Sequence, residues 1–68
     1  MKTFAVRAHW DADAAVWWAD SDDIPGLTIE AGTLAKLEDD VLAIAPELLK
    51  LNLGFDETFK VDWIKEPA

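Results

Sequence analysis

No cysteine occurs among the 68 residues. Disulfide staples and thiolate metal centres are therefore excluded, and a reducing or indifferent compartment is expected. Basic residues are scarce: six Lys and Arg stand against 14 Asp and Glu, for a formal net charge of −8. Binding to a phosphate backbone draws its affinity from Lys and Arg releasing counterions, so direct nucleic-acid binding is not expected. Long hydrophobic runs are missing as well. Arg7 interrupts the start before it could serve as a signal peptide, and nothing approaches the roughly 18 apolar residues of a membrane span. A soluble cytoplasmic protein with no membrane partner is the expectation. His9 is the single histidine. With no Ser or Cys at a motif distance, it reads as a surface residue of a strand rather than a general acid or base.

What the chain does have is aromatic bulk. At this length it is one domain, residues 1–68, of a size that buries only about 60% of its unfolded surface. Four Trp and three Phe make so small a core dense, since each aromatic removes roughly 150–250 Å² from water.

The longest organised stretch runs from Thr33 to Leu51. Leu34, Leu37, Val41, Ile44, Leu48 and Leu51 recur at spacings of three and four, which draws an apolar stripe along a helix. Thr33 is a suitable N-cap and Gly54 a suitable left-handed C-cap. Pro46 lacks the N–H owed to the Leu42 carbonyl, so a kink or a break near Ala45 is expected. Before the helix, Thr3 to Trp10 alternates as a strand, with Phe4, Val6, Ala8 and Trp10 on one face. A turn at residues 11–14 returns the chain as a second strand, Ala15 to Asp20, with Trp10 opposite Ala15. Trp17 then faces the core and Trp18 the outside. Ile24-Pro25-Gly26-Leu27 reads as a type II turn, and Leu27 to Ala31 as a third strand. Thr58 to Ile64 is the fourth strand, and Glu66 to Ala68 a tail. The result is an α+β fold of order β-β-β-α-β: a three-stranded antiparallel meander, one helix across its apolar face, and a last strand parallel to the first.

Candidate sites follow from this arrangement. Asp11, Asp13, Asp20, Asp22 and Asp23 cluster around the hairpin and the next loop, and oxygen clusters can hold magnesium. Their spacing matches no calcium loop, and solvated turn acids are the plainer account, so no catalytic, metal or cofactor residue is assigned. Trp18 is the more informative residue. A large aromatic on an otherwise polar sheet face, with Val16 and Ile64 as apolar neighbours, suggests a contact surface. A second apolar line on the helix, Leu42, Ala45, Leu49 and Leu53, exceeds what one small sheet can cover and would suit a dimer. The interface residues expected are thus Trp18, Val16, Ile64, Leu42, Leu49 and Leu53.

The run Trp17-Trp18-Ala19-Asp20-Ser21-Asp22-Asp23-Ile24-Pro25-Gly26-Leu27, followed by Glu30, Thr33-Leu34 and the Leu-rich helix, resembles the HicB-type antitoxin domain. Within that group it is most similar to a small bacterial single-domain family of unknown function. The resemblance, over roughly residues 3 to 52, implies a truncated ribonuclease H-like fold without its catalytic carboxylates. It also implies a small basic toxin-like partner, which an acidic domain suits. The C-terminal DNA-binding segment usual in HicB antitoxins is not among these residues, so autorepression is not expected. The leading expectation is a non-enzymatic protein-interaction domain that binds a basic protein or self-associates as a dimer. The alternative is a divalent-metal ribonuclease H-like remnant using Asp11, Asp20 or Asp22.

Overall fold

The computed structural model describes residues 1–66. It contains β1 (Lys2–Asp11), β2 (Val16–Asp20), β3 (Thr28–Ala31), α1 (Leu34–Leu53) and β4 (Phe59–Glu66). The strands form one sheet of order β3-β2-β1-β4. β1 and β2 are antiparallel, as are β2 and β3, while β4 lies parallel to β1. The expected α+β topology is thus observed. Pro67 and Ala68 of the expected tail lie outside the described residues, and Glu66 closes β4.

Period-two alternation decides which face is dry. Phe4, Val6 and Ala8 of β1 and Ala19 of β2 are at most 3% exposed. α1 covers them with Leu37, Val41, Ala45 and Leu49, all fully buried. Trp17, Ile29, Ala31, Phe59, Val61 and Trp63 pack around this centre. Phe4, Phe55 and Phe59 form an edge-to-face triangle near the start of β1, with centroids 5.3–6.3 Å apart, an arrangement favoured by the ring quadrupoles.

The caps are where the sequence places them. Thr33 Oγ1 accepts from the Lys36 N–H, and Gly54 takes the left-handed conformation at φ 65°. That cap sends the Phe55 N–H back to the Leu49 carbonyl and so delivers Phe55 to the aromatic triangle. In the Ile24–Leu27 turn, the Leu27 N–H bonds the Ile24 carbonyl, and Gly26 sits at φ 85°, as a type II turn requires. Both ends of this turn are buried. Asn52 Nδ2 donates to the Pro25 carbonyl, tying the turn to the end of α1.

Several details differ from expectation. α1 runs through Pro46 without the break allowed for near Ala45. Leu42 and Pro46 both lie on its exposed side, where water can satisfy the carbonyl that proline leaves without a donor. Leu51 is 82% exposed rather than inward. The buried row steps by four residues and so turns about 40° per step around the helix; at its end Leu51, two residues from Leu49, points to the opposite side. Ala45 and Leu49, expected in a surplus apolar line, are the bottom of the core. Leu49 is therefore withdrawn from the interface residues, whereas Leu42 and Leu53 remain about half exposed.

The first hairpin also differs. Trp10 pairs with Trp17, not Ala15, and the turn residues are 12–15. Asp11 Oδ1 accepts from the Asp13 and Ala14 N–H groups, and Ala15 closes the turn at φ 54°. This two-residue shift keeps every side chain on its expected face, because the pleat repeats every two residues.

Candidate functional site

Among the described residues, no element covers the face of the sheet opposite α1. Its central row is Arg7 and His9 on β1, flanked across the antiparallel ladder by Asp20 and Trp18 of β2. Arg7 Nε and Nη2 make paired 3.0 Å bonds to the two oxygens of Asp20. Its Nη1 and Nη2 reach the Asp22 carboxylate at 3.1 Å. His9 Nε2 lies 3.0 Å from Asp20 Oδ1, and its ring stacks on the Trp18 indole at 4.0 Å and 16°. Arg7 and Asp20 are each about one-third exposed, and Asp22 is 83% exposed. The Arg7 bonds, with a smaller contribution from His9, hold the Asp20 carboxyl below the usual carboxylate range. Bonding to Asp20 and Asp22 in turn raises the Arg7 guanidinium above its ordinary value.

The loop after β2 carries on the work of that strand. β2 ends opposite Arg7, leaving the backbone of Ala5 without a strand partner on that side. Asp23 Oδ2 accepts from the Ala5 N–H at 2.8 Å, and Ser21 Oγ donates to the Ala5 carbonyl. Ser21 Oγ also accepts from the Asp23 and Ile24 N–H groups. Side chains thus extend the ladder by one residue and satisfy main-chain groups that would otherwise need water.

The clustered carboxylates are consequently divided among separate tasks. Asp11 holds the hairpin turn, Asp20 and Asp22 share Arg7, and Asp23 holds Ala5. Among the described residues, no group of three or more His, Cys, Asp or Glu side chains is placed to hold a metal ion. Ser21 is committed to backbone contacts and is not presented to His9 as a nucleophile.

Of the expected interface residues, Val16 and Trp18 are neighbours on β2, and Ile64 shares their face at 42% exposure. Ile64 pairs with Arg7 across β4, so the β1 row stands between it and Trp18. Leu42 and Leu53 lie on the helix, on the other side of the molecule. Trp18 faces a different neighbour: an open groove of about 420 Å³ lined by Asp11, Trp18, Thr28, Ile29 and Glu30. The Arg7–Asp20–Asp22 network does not follow from the register with Trp10 opposite Ala15, which sets Arg7 against Trp18. Pairwise chemistry favours the observed register: moving β2 by two residues puts Arg7 opposite Asp20 and His9 opposite Trp18, replacing a mismatch with an ion pair and an aromatic stack.

These features define a small α+β domain with one dry sheet face and one open, polar face that carries a tryptophan. The chain belongs to the family described as "Domain of unknown function (DUF1902)", whose model matches residues 3–62. Among solved structures it is similar to hypothetical protein TTHA1013 from the extremely thermophilic bacterium Thermus thermophilus. The two are 42% identical, with a TM-score of 0.79 over 98% of this chain and 93% of that one. No curated protein matches the chain. No helix among the described residues is long and apolar enough to cross a membrane.

Proposed function

We propose that this domain is a non-enzymatic interaction module, similar in role to a HicB-type antitoxin, that binds a small basic protein through the open sheet face. The observation that carries the reading is the Trp18 groove, which combines an indole with the carboxylates of Asp11 and Glu30 at its walls. An arginine or lysine entering such a groove gains charge attraction and a cation–π contact together. The wider chain supports the same partner chemistry. With a net charge of −8, it accelerates encounters with basic proteins and repels acidic ones. Arg7, the cation in the central row of this face, is already neutralised by Asp20 and Asp22. The His9 stack and the Asp20 bond hold Trp18 and its neighbours in place, so little ordering cost remains on binding.

The test is affinity capture of the tagged protein from its own host, run in parallel with Trp18→Ala and Glu30→Lys. The expected result is one small basic protein, released at high salt and absent from both variants. Recovery of the same proteins by all three baits, or of none by the unaltered protein, overturns the reading.

A further inference from the structure

We infer that β4 is a self-association edge, pairing antiparallel with β4 of a second copy about a two-fold axis at Val61 to make one continuous sheet across two chains. The two edges of the sheet are unlike. β3 is four residues long and is flanked by α1, whereas β4 is eight residues long and contains no proline within Phe59–Glu66. Among the described residues, only one side of β4 is paired, by the parallel ladder to β1 from Lys2↔Phe59 to His9↔Glu66. A strand of this length leaves alternate N–H and C=O groups directed at the open edge, which is a template for another strand.

The side chains select both the partner and the register. An antiparallel pair that keeps the dry and open faces aligned can be centred on Lys60, Val61, Asp62, Trp63 or Ile64. Centring on Ile64 sets the dry-face Trp63 against Lys65. Centring on Lys60 or Asp62 sets that charge against its own copy. Centring on Trp63 sets Val61 against Lys65 and Asp62 against Ile64. Centring on Val61 instead sets Lys60 against Asp62 of the second copy on the open face, twice by symmetry. On the dry face it sets Phe59 against Trp63 and Val61 against Val61. Opposite charges and aromatic pairs are the cross-strand combinations that stabilise sheets, and like charges directly opposite destabilise them.

Phe59, Val61 and Trp63 are only partly buried within one chain, so their remaining apolar surface is available to such a seam. Charges on an edge strand can also serve to prevent pairing. Lys60 and Asp62 are poorly suited to that role, since two residues of opposite sign at this spacing are complementary to their own reverse. The assembly closes at two copies, because each contributes its single β4 edge to an isologous contact. It is independent of the groove at Trp18, and it would place two such grooves on one continuous open face.

The test is sedimentation of the full chain over a wide concentration range near physiological salt, comparing the unaltered protein with Lys60→Asp, Asp62→Lys and the Lys60→Asp/Asp62→Lys double variant. Across the ladder to β1, Lys60 pairs with Thr3 and Asp62 with Ala5, so neither change removes an ion pair to the neighbouring strand. Near-ultraviolet circular dichroism checks that each variant remains folded. A dimer is expected for the unaltered protein. Each single variant should weaken it by roughly tenfold through the like charges it creates, and the double variant should restore it. Asp62→Lys is the decisive arm: it brings the net charge closer to zero, so general repulsion predicts a tighter dimer while the Val61 register predicts a weaker one. A monomer at every concentration, single variants that dimerise as well as the unaltered protein, or assemblies that keep growing with concentration overturn the inference. The last outcome would be the head-to-tail joining of β4 to β3.

Discussion

The two faces of the sheet are built from the same strands and differ in what holds them. On the inner face Phe4, Val6, Ala8 and Ala19 are at most 3% exposed and are sealed by α1 and the phenylalanine triangle. On the outer face Arg7, His9, Trp18 and Asp20 remain partly exposed and are organised by directed bonds and one ring stack. Apolar burial is non-directional and scales with area, so the inner face carries the stability. The outer face contributes less per residue, since partly solvated ion pairs are worth little. Its directed bonds instead fix positions, which is what a recognition surface needs. The lesson is a division of labour at a spacing of one residue: Val6 serves the fold, and Arg7 next to it serves the surface.

Substituting Phe4 gives the largest expected effect. Phe4→Ala should cost about 3–5 kcal/mol, a large share of the stability of a domain this small, and Phe4→Leu correspondingly less. Urea unfolding followed by tryptophan fluorescence measures both. A change of similar size for Trp18→Ala would abolish the distinction between the faces.

An intermediate effect is expected from acid. Asp20 is held below its ordinary value when folded, so the stability it contributes is present above the unfolded aspartate value near about 3.9. It is lost as pH falls below that value and through the lower folded one. Arg7, His9 and Asp22 face it, and Arg7 dominates. Asp20→Asn should therefore be less stable than the unaltered protein at neutral pH and lose less on acidification below about pH 4. Parallel acid limbs in urea midpoints measured against pH would mean that the ion pair does not contribute.

The smallest effect touches neither face. Ala15 closes the first hairpin in the left-handed region, which costs an L-residue roughly 1–2 kcal/mol. Ala15→Gly relieves that and loses part of the gain to a freer unfolded chain, for a net stabilisation of about 0.5–1 kcal/mol. A small rise in melting temperature with unchanged partner binding is the expected outcome. A fall would place the strain elsewhere.

The segment on which the family resemblance rests, Trp17 to Leu27, has its clearest roles in building the fold. Ile24 and Leu27 enter the core, Pro25 and Gly26 set the turn, and Ser21 and Asp23 finish the ladder beside Ala5. Trp18, Asp20 and Asp22 are the residues of that run that contact Arg7 or His9 on the open face. Likeness along this segment therefore reports shared folding more directly than a shared partner.

The sequence by itself determined the element order, the caps at Thr33 and Gly54, the type II turn at Pro25-Gly26 and the alternation of faces along the expected strands. Each depends on interactions within a few positions: backbone dihedral preference, local hydrogen bonds and the two-residue pleat. Tertiary structure decided what depends on distant partners. It chose Leu37, Val41, Ala45 and Leu49 as the buried row, because two overlapping apolar lines run along α1 and only docking on the sheet selects between them. It set the hairpin register, because registers two residues apart keep the same faces and differ only in their cross-strand pairs. And it brought Asp20 and Asp22 to Arg7 across 13 and 15 positions of chain, a contact that no local pattern encodes.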